Sequence, residues 1–470
     1  MASERGEDRP GPVAIGVEGP IGRRLIQLAL PILASQLLRL GYQWVDALWV
    51  RGLGVSATAA VTTSVFVTWW MLSLNDILAI GVIAWVSQLL GAGQRRRAGV
   101  AAALALRASA VVGLAGTVTG LVAARSLYRW MGADAATVEA GGRYLGVLLA
   151  GAPLLLVAFT AESVMRAAGD TRTPLLVDLG AISLNALLDP VLIYGLGPAP
   201  ALGVAGAAWA TVIAQAVAAS TYLALGLRGH PALPLARRAE GVPIRLASLA
   251  RVGLPAAAIG MLFAVVYGAF ARSASRFGAA SLAIVGIANR IEALQFVVSL
   301  ALGSAAATLV GQNLGAGRPE RAVRAMRTAG LASVVVGAVF TVALLARPAT
   351  FLGLFTRDPD VHRIGVPYLR VLSTCLVFTG LEIVTAEAVL GSGHTAVMSS
   401  IYTVVSLARI PLAFVVPDRT GSGVLGIAWL ISVTCAVRAL AIVSWAARGT
   451  WMRGLGRDVH APPAEPGAGV

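Results

Sequence analysis

The sequence predicts an all-α polytopic membrane protein with twelve transmembrane helices in two parallel six-helix repeats. Three observations predict this fold class: the composition, the length of the apolar runs and an internal repeat. Of the 470 residues, 57% are hydrophobic and only 13% are charged, whereas a soluble protein has roughly 25% charged residues. Apolar runs of about 20 residues, the length that crosses a ~30 Å hydrocarbon core, follow one another along nearly the whole chain.

Polar breaks between these runs divide the chain into twelve predicted helices. Strands are excluded as the main element, because the runs are long and their apolar character does not alternate. The predicted spans are 23–49, 56–88, 97–124, 138–167, 173–196, 203–227, 247–273, 280–311, 321–346, 364–390, 395–417 and 423–448.

An internal repeat relates the first six spans to the last six. Matching stretches recur at one constant offset in residue number: "SQLLGAGQRRRA" (87–98) with "GQNLGAGRPERA" (311–322), "GGRYLGVL" (141–148) with "GVPYLRVL" (365–372), and "AAGDT" (167–171) with "GSGHT" (391–395). A constant register over several landmarks indicates two homologous halves. Because each half has an even number of spans, both enter the membrane from the same side. The repeats are therefore parallel, with a cavity expected between them.

The breaks and the arginines define the predicted domains and their orientation. They are a cytoplasmic tail (1–22), an N-terminal six-helix lobe (23–227), a cytoplasmic linker (228–246), a C-terminal six-helix lobe (247–448) and a disordered cytoplasmic tail (449–470). Arginines gather in alternate gaps, including Arg95 to Arg97, Arg237 and Arg238, and Arg318 to Arg327. The positive-inside rule then places both termini in the cytoplasm, in a multi-pass cell-membrane protein.

Composition also excludes several function classes. The net charge of +15 comes from arginines between the spans, where they meet anionic lipid, so membrane lipids and not nucleic acid are the expected partners. The chain has no lysine and hence no Walker A lysine, and its four histidines lack zinc-ligand spacing. Cys375 and Cys435 lie in apolar runs as small core residues. We therefore expect no enzyme, no organic cofactor and no metal centre other than a coupling ion.

Four oxygen-bearing residues of the first lobe converge in depth. Asp46 lies about 32 Å above the start of its span and Asp189 about 24 Å above the start of span five, while Thr211 lies about 12 Å below the opposite surface. Asn185 and Asp189 share one helical stripe. Two carboxylates, an amide and a hydroxyl suit a hard cation, such as Na⁺, or a shared proton. The alternative for Asp46 is a helix-end acid that reaches the headgroups, and for Asp189 it is a kink-associated polar residue next to Pro190. For Asn185 and Thr211 the alternative is packing or a hydrogen bond back to their own helix.

Further intramembrane charges are candidates for a substrate cavity. They are Asp76, Asp178, Arg290, Glu292 and Glu382. For Asp76 a structural hydrogen bond is the alternative. Arg290 and Glu292 are two residues apart and do not face each other on a helix, so we expect partners on span ten, Glu382 or Glu387, in a structural ion-pair network. The repeat places Phe270 where the first half has Asp46, which favours a cation site in the first half.

Several motifs together resemble the multidrug and toxic compound extrusion (MATE) family. They are "LALP…VDALWVRGLG" (28–54), "VSQLLGAG" (86–93), "MRAAGDTRTP" (165–174), "LNALLDPVLI" (184–193), "LGVAGAAWAT" (202–211) and "LVGQNLGAG" (309–317). The "LNALLDP" element is similar to the DNA-damage-inducible-protein-F-like branch. The resemblance implies two lobes in a V around a central cavity and H⁺- or Na⁺-coupled export of amphiphilic, often cationic, compounds. It also implies a coupling site at Asp46, Asn185, Asp189 and Thr211.

The predicted function is thus a monomeric, secondary active antiporter that works by alternating access. Ion binding at Asp46 and Asp189 would bias one lobe, and the small-molecule substrate would bind the other. One alternative is a flippase for lipid-linked saccharides, which would need a more basic cavity than Arg290 alone provides. An intramembrane enzyme or receptor is the alternative of another class, and the doubled fold disfavours it. Two departures are that "GSGHT" (391–395) lacks the usual arginine and aspartate, and that Asp76 and Asp178 match no family motif.

Overall fold

The computed structural model describes residues 15–197, 200–236, 243–456 and 459. Over these residues the chain is helical, and no strand occurs among them. The helices are α1 (Ile21–Arg51), α2 (Val55–Gly91), α3 (Arg95–Trp130), α4 (Ala135–Ala150), α5 (Ala152–Ala167), α6 (Arg172–Tyr194), α7 (Val204–Leu227), α8 (Leu246–Ser275), α9 (Ala279–Gly315), α10 (Pro319–Ala346), α11 (Pro348–Gly353), α12 (Pro359–Ser373), α13 (Leu376–Leu390), α14 (Thr395–Thr420) and α15 (Val424–Ala447).

The number of spans agrees with the sequence. Ten of the described helices are long and apolar enough to cross a membrane, and two bent pairs bring the total to twelve. The bent pairs are α4 with α5, at 51°, and α12 with α13, at 47°. The predicted spans 138–167 and 364–390 are therefore each two helices and not one continuous helix.

Both bends involve a hydrogen bond from a neighbouring helix, and the repeat places them at equivalent positions. In the first half Pro153 has no backbone N–H, which interrupts the helical hydrogen bonds, and the hydroxyl of Thr117 donates to the carbonyl of Leu149 (2.7 Å). In the second half Thr341 donates in the same way to the carbonyl of Ser373 (2.7 Å). The offset of the repeat relates the two threonines to each other, and likewise the two carbonyls. Each break is thus held by a hydroxyl from the preceding span.

The two halves share their cores on one side of the molecule, here called the terminal side, where α1 begins and α15 ends. Leu25 and Leu28 of α1 pack with Ala305 and Leu309 of α9 in a cluster of second-half residues. Reciprocally, Leu249 of α8 packs in a cluster otherwise built mainly from the first half. The first helix of each half therefore crosses onto the other lobe at the terminal side.

On the other side, here called the far side, the lobes have separate cores. Two clusters contain first-half residues alone, from Val50 to Ala208, and one contains second-half residues alone, from Val266 to Cys435. Among the described residues, the hydrogen bonds that cross between the lobes lie at the terminal side. The two lobes thus form a V that opens to the far side.

The chain segments outside the spans differ in part from expectation. Ile15–Val17 forms a short 3-10 helix within the predicted tail 1–22, whose residues 1–14 lie outside the described residues. Thr450–Arg453 also forms a 3-10 helix, with Trp451 fully buried, so the expectation of disorder for 449–470 is wrong for this part. The reason is burial, since the indole of Trp451 packs between helices of the second lobe. Arg237 and Arg238 of the linker 228–246, and residues 460–470, lie outside the described residues.

Candidate functional site

Two helices of the first lobe, α1 and α6, carry a column of polar residues between them. Both start at the terminal side and run toward the far side, and they pack against each other. On α1 the polar positions are Arg39, Tyr42 and Asp46, spaced by three or four residues and so on one face. On α6 they are Asp178, Asn185 and Asp189. The contacts divide this column into two levels with different charge.

The upper level centres on the hydroxyl of Thr211 in α7. Asn185 donates to it from Nδ2 (3.2 Å), and the hydroxyl itself donates to the carbonyl of Ala207 (3.1 Å). Because the hydroxyl of Thr211 has only one proton and uses it in the bond to Ala207, it accepts a hydrogen bond from the hydroxyl of Tyr42, 3.0 Å away. Tyr42 is therefore a member of this site. The structure brings α1, α6 and α7 together at Thr211.

The two acids lie beside this cluster. Asp189 is fully buried and Asp46 half-buried, and the two carboxyl groups are close enough to interact electrostatically. Four buried oxygens receive no hydrogen bond from any described residue: Oδ1 of Asp46, Oδ1 of Asn185 and both carboxyl oxygens of Asp189. A buried oxygen without a donor costs about 1–3 kcal/mol, and more if it is charged. These oxygens therefore suit a cation or a proton, which would supply the missing partner.

The lower level is an ion-pair network that is balanced in charge. Arg39 contacts Glu162 (2.5 Å) and Asp178 (3.0 Å), and Arg166 contacts Glu162 (3.4 Å). Two guanidinium groups thus face two carboxylates. Asp178, which we expected in a substrate cavity, lies in this network inside the first lobe. The upper level holds two acids, Asp46 and Asp189, and no ion pair among the described residues links either of them to an arginine.

Asp76 of α2 lies near the junction of the lobes. It is half-buried, and its electrostatic neighbours are Arg166 of the first lobe and Glu387 of the second. Within the described residues it forms no ion pair below 4 Å. The neighbouring Asn75 is fully buried and donates to the hydroxyl of Thr160 (3.1 Å). At this level of α2, Asn75 thus makes a buried structural hydrogen bond within the first lobe.

In the second lobe, the expected partners of two charges are different. Glu382 forms an ion pair with Arg438 of α15, whose Nε donates to Oε2 at 3.0 Å. Glu292 accepts a hydrogen bond from Tyr267 (3.2 Å), and Arg290 is exposed. No ion pair of the described residues joins Arg290 or Glu292 to Glu382 or Glu387, so the expected pairing is wrong. The physical reason is that Arg438, buried on α15, already satisfies the carboxylate of Glu382.

Among its described residues, the second lobe has no counterpart of the upper level. Phe270 stands at the repeat position of Asp46, is fully buried and packs edge-on against Tyr267, with ring centroids 5.6 Å apart. Nearby, Arg409 donates to the hydroxyl of Thr434 (2.7 Å). The lobe therefore has an apolar side chain where the first lobe has an acid, together with buried arginines that carry their own partners.

The sequence contained signals for some of the residues that we missed. Arg39 and Tyr42 lie seven and four residues before Asp46, which places all three on one helix face. Arg438 lies inside an apolar run, where a charge needs a partner. Glu162 had the same kind of signal, a charge inside an apolar run with Arg166 four residues further on, but its other partner, Arg39, is 123 residues away and could not be chosen from the sequence.

Comparison with known families identifies the chain. The sequence profile of the family described as MatE matches residues 31–191 and again residues 255–415, two matches that are offset from each other as the internal repeat is. The chain belongs to the MatE family. It is a transporter and not an enzyme, since the named relatives are transporters. The MATE resemblance drawn from the sequence is thereby confirmed.

Relatives of known description cover nearly the whole chain. The protein is 28% identical over 416 residues to a FAD transporter of Shewanella oneidensis, covering 88% of this chain and 91% of the relative. It is 26% identical over 417 residues to a probable multidrug resistance protein NorM of Thermotoga maritima, covering 87% and 88%. MATE-family membership thus rests on matches along both lobes.

Solved structures share the fold. A transporter of the MOP superfamily from Pyrococcus furiosus superimposes with a TM-score of 0.85 at 24% identity, covering 95% of this chain and 100% of that one. An outward-facing multidrug resistance MATE family transporter superimposes with a TM-score of 0.86 at 25% identity, again covering 95% and 100%. The twelve-helix, two-lobe architecture predicted from the sequence is confirmed.

Proposed function

We propose that this protein is a cation-coupled antiporter that exports amphiphilic, often cationic, small molecules, with H⁺ or Na⁺ as the coupling ion. The observation that carries the proposal is the set of buried oxygens at Asp46, Asn185 and Asp189 that lack a donor. Two acids without a neighbouring base need a cation or a proton before the lobe can close around them. The ion-paired level below, at Arg39, has no such need.

Helix α1 provides the mechanical link between the coupling site and the lobes. Its terminal-side half packs in the second lobe through Leu25 and Leu28, whereas its far half carries Tyr42 and Asp46 against α6 and α7 of the first lobe. An ion that changes the packing of α1 around Asp46 therefore acts on a helix that both lobes share. In this mechanism ion binding biases the equilibrium between two arrangements of the V.

The orientation follows from the arginine distribution. The terminal side, which holds Arg95 to Arg97 and Arg318 to Arg324, faces the cytoplasm under the positive-inside rule. Both termini are then cytoplasmic, the protein resides in the cell membrane as a monomer surrounded by lipid, and the V opens to the outside. In the described arrangement the protein is ready to release substrate outward and to bind the coupling ion.

A second candidate is an exporter of anionic compounds. Arg290 is exposed and lies about five helical turns before Thr308 on α9. Thr308 donates to the carbonyl of Arg166 in the other lobe (3.0 Å), so the face of α9 that holds both residues points toward the first lobe. A guanidinium in the cleft suits a phosphate, as a flavin dinucleotide or a lipid-linked precursor would carry. The relative described as a FAD transporter gives this candidate weight.

Transport from proteoliposomes decides between the candidates. Vesicles would be loaded with a fluorescent organic cation or with FAD, and efflux would be followed under an imposed proton or sodium gradient. Gradient-driven efflux of the cation, with little movement of FAD, is the expected result. Efflux of FAD alone, abolished by Arg290→Ala, would favour the second candidate. Gradient-independent efflux of either compound would contradict ion coupling.

A further inference from the structure

Two glutamines form equivalent bridges between the lobes. Gln88, near the end of α2, donates to the carbonyl of Gly391 in the second lobe (2.9 Å). Gln312, near the end of α9, donates to the carbonyl of Ala167 in the first lobe (3.0 Å). The offset between Gln88 and Gln312 is that of the repeat, and so is the offset between Ala167 and Gly391. The internal repeat therefore relates both donors and both acceptors.

Close backbone contact brings these side chains within reach. A Cβ atom at Gly91 would collide with the backbone of Gln312, and a Cβ atom at Gly315 would collide with the backbone of Gln88. The ends of α2 and α9 thus touch backbone to backbone, again in repeat-related pairs. Gln88 is 2% exposed and Gln312 is fully buried, so the side-chain amides of both glutamines are shielded from water.

The two terminal segments donate hydrogen bonds to the side-chain oxygens of the two glutamines. The N–H of Leu455, beyond α15, donates to Oε1 of Gln88 (2.8 Å). The N–H of Gly16, before α1, donates to Oε1 of Gln312 (2.8 Å), and Asn313 returns a hydrogen bond to the carbonyl of Gly16 (3.0 Å). The N-terminal segment therefore binds the second lobe and the C-terminal segment binds the first.

We propose that Gln88 and Gln312, with the carbonyls of Gly391 and Ala167, form a twofold gate that keeps the terminal side closed. When the lobes part on this side, both bonds must break together, because the repeat symmetry moves both acceptors away. The segments around Gly16 and Leu455 hold each amide in the orientation that presents its N–H₂ group to the opposite lobe. The proposal rests on the proposed function only in assuming that the lobes alternate.

The proposed gate predicts how far the equilibrium between molecules open and closed at the terminal side shifts when one bridge is lost. A net intramolecular hydrogen bond contributes about 0.5–1.5 kcal/mol. Loss of one bridge should therefore raise the ratio of terminal-side-open to closed molecules roughly fivefold. The gate predicts the same shift for either glutamine, since their environments are equivalent. A role in general stability would lower the melting temperature without changing this ratio.

Distance measurements between spin labels test the gate. One label pair, Arg96→Cys with Glu320→Cys, lies on exposed terminal-side positions, and the other, Val55→Cys with Ala279→Cys, lies on exposed far-side positions. Both pairs are repeat-related. The native Cys375 and Cys435 are 1% and 4% exposed, so labelling reports the introduced residues. The variants are Gln88→Ala, Gln312→Ala and, as a matched control, Gln295→Ala, whose buried amide bonds only within the second lobe.

The expected result is a longer terminal-side distance and a shorter far-side distance in both gate variants, with distances in Gln295→Ala like those of wild type. Gln88→Met and Gln312→Met keep the length of the side chain and remove the N–H₂ donor, so they should give the same shift if an alanine variant does not fold. Unchanged distances in the folded gate variants, or an equal shift in Gln295→Ala, would overturn the proposal. Neither ion gradient nor substrate is present, so this outcome is independent of whether export is ion-coupled.

Discussion

Asn185 donates a hydrogen bond of 3.2 Å to the hydroxyl of Thr211 and thereby ties the acid-bearing helix α6 to α7. The same hydroxyl accepts from Tyr42 of α1. One oxygen thus holds together the three helices around the acids. Asn185 uses its Nδ2 group in this bond, and its side-chain carbonyl oxygen, like the carboxyl oxygens of Asp189, receives no hydrogen bond from any described residue. The arrangement orients oxygens, and not N–H groups, toward the proposed cation.

Replacing Thr211 should weaken ion-coupled export. Thr211→Val removes the acceptor of both Asn185 and Tyr42, and leaving a buried donor unpaired costs about 1–3 kcal/mol. We expect gradient-driven efflux to fall about tenfold, and Thr211→Ser, which keeps the hydroxyl, to retain most of it. Thr221→Val is the control, since the exposed hydroxyl of Thr221 bonds only to the carbonyl one turn back. Full efflux by Thr211→Val would remove Thr211 from the site.

Replacing Arg39 should destabilise the first lobe. Arg39→Leu leaves Asp178 without its ion pair and Glu162 with Arg166 alone. Because a third of the Arg39 side chain is exposed (32%), we expect a loss on the order of 2 kcal/mol, below that of a fully buried pair. The measurement is thermal unfolding in detergent. Arg276→Leu, which breaks the exposed pair with Asp418, should change the melting temperature little, and an equal drop in both variants would contradict this account.

The ion pair of Glu382 and Arg438 should behave as a coupled unit. Arg438→Leu leaves a buried carboxylate unpaired, for which a loss of about 3–5 kcal/mol is typical. The double variant Glu382→Leu/Arg438→Leu should recover most of this stability, because neither charge then remains buried. A double-mutant cycle of unfolding free energies measures the coupling. Additive losses from the two single variants would show that the pair has no such dependence.

His394 should be a weak point at the start of α14. In the first half its repeat equivalent, Asp170, accepts hydrogen bonds from the N–H groups of Arg172 and Thr173, whereas the His394 side chain makes no such cap. Burial, with Arg453 nearby, lowers the pKa of His394 below its usual 6.5. Asn is a good cap residue and does not titrate, so His394→Asn should stabilise the protein by about 1 kcal/mol at pH 7.5.

The gain from His394→Asn should grow as the pH falls. Because folding lowers the pKa of His394, the histidine costs no stability above pH 6.5, where it is neutral in both states. As the pH falls below 6.5, protons bind the unfolded state more readily, and the free energy of unfolding decreases until the pH reaches the folded-state pKa. The wild type carries this loss and the asparagine variant does not. Unfolding at pH 7.5 and pH 5.5 checks the prediction. A difference between wild type and variant that stays constant, or narrows at pH 5.5, would contradict it.

The fold was predictable because its evidence is periodic and redundant. Apolar runs predicted twelve spans, and the constant register of the repeat predicted the two halves that the MatE profile matches separately. The bend after Gly151 was readable from Pro153, although we expected one continuous span. The bend after Ser373 has no proline at the break. At this bend the hydroxyl of Thr341 donates a hydrogen bond to the carbonyl of Ser373. Because Thr341 lies on another helix, the sequence near the break does not reveal the bend.

The candidate site was predictable only where a residue is unusual for its own surroundings. Asp46 and Asp189 are conspicuous in apolar runs, and depth along a helix places them level. Tyr42 is an ordinary residue in such a run, and its membership follows from the hydrogen bond to Thr211, 169 residues away. The pairing of Glu382 with Arg438 likewise depends on how α13 and α15 pack, so the sequence offered several arginines and no means of choosing among them.

Ion-coupled export at Asp46 and Asp189 is the central claim, and one comparison tests it most directly. Efflux of a fluorescent organic cation from proteoliposomes would be measured under proton and sodium gradients for wild type, Asp46→Asn, Asp189→Asn and, as a control, Asp418→Asn, whose carboxylate is exposed at the far side. The account predicts that wild type and Asp418→Asn respond to one of the gradients and that Asp46→Asn and Asp189→Asn respond to neither. Efflux by Asp46→Asn and Asp189→Asn that matches wild type under both gradients would contradict it.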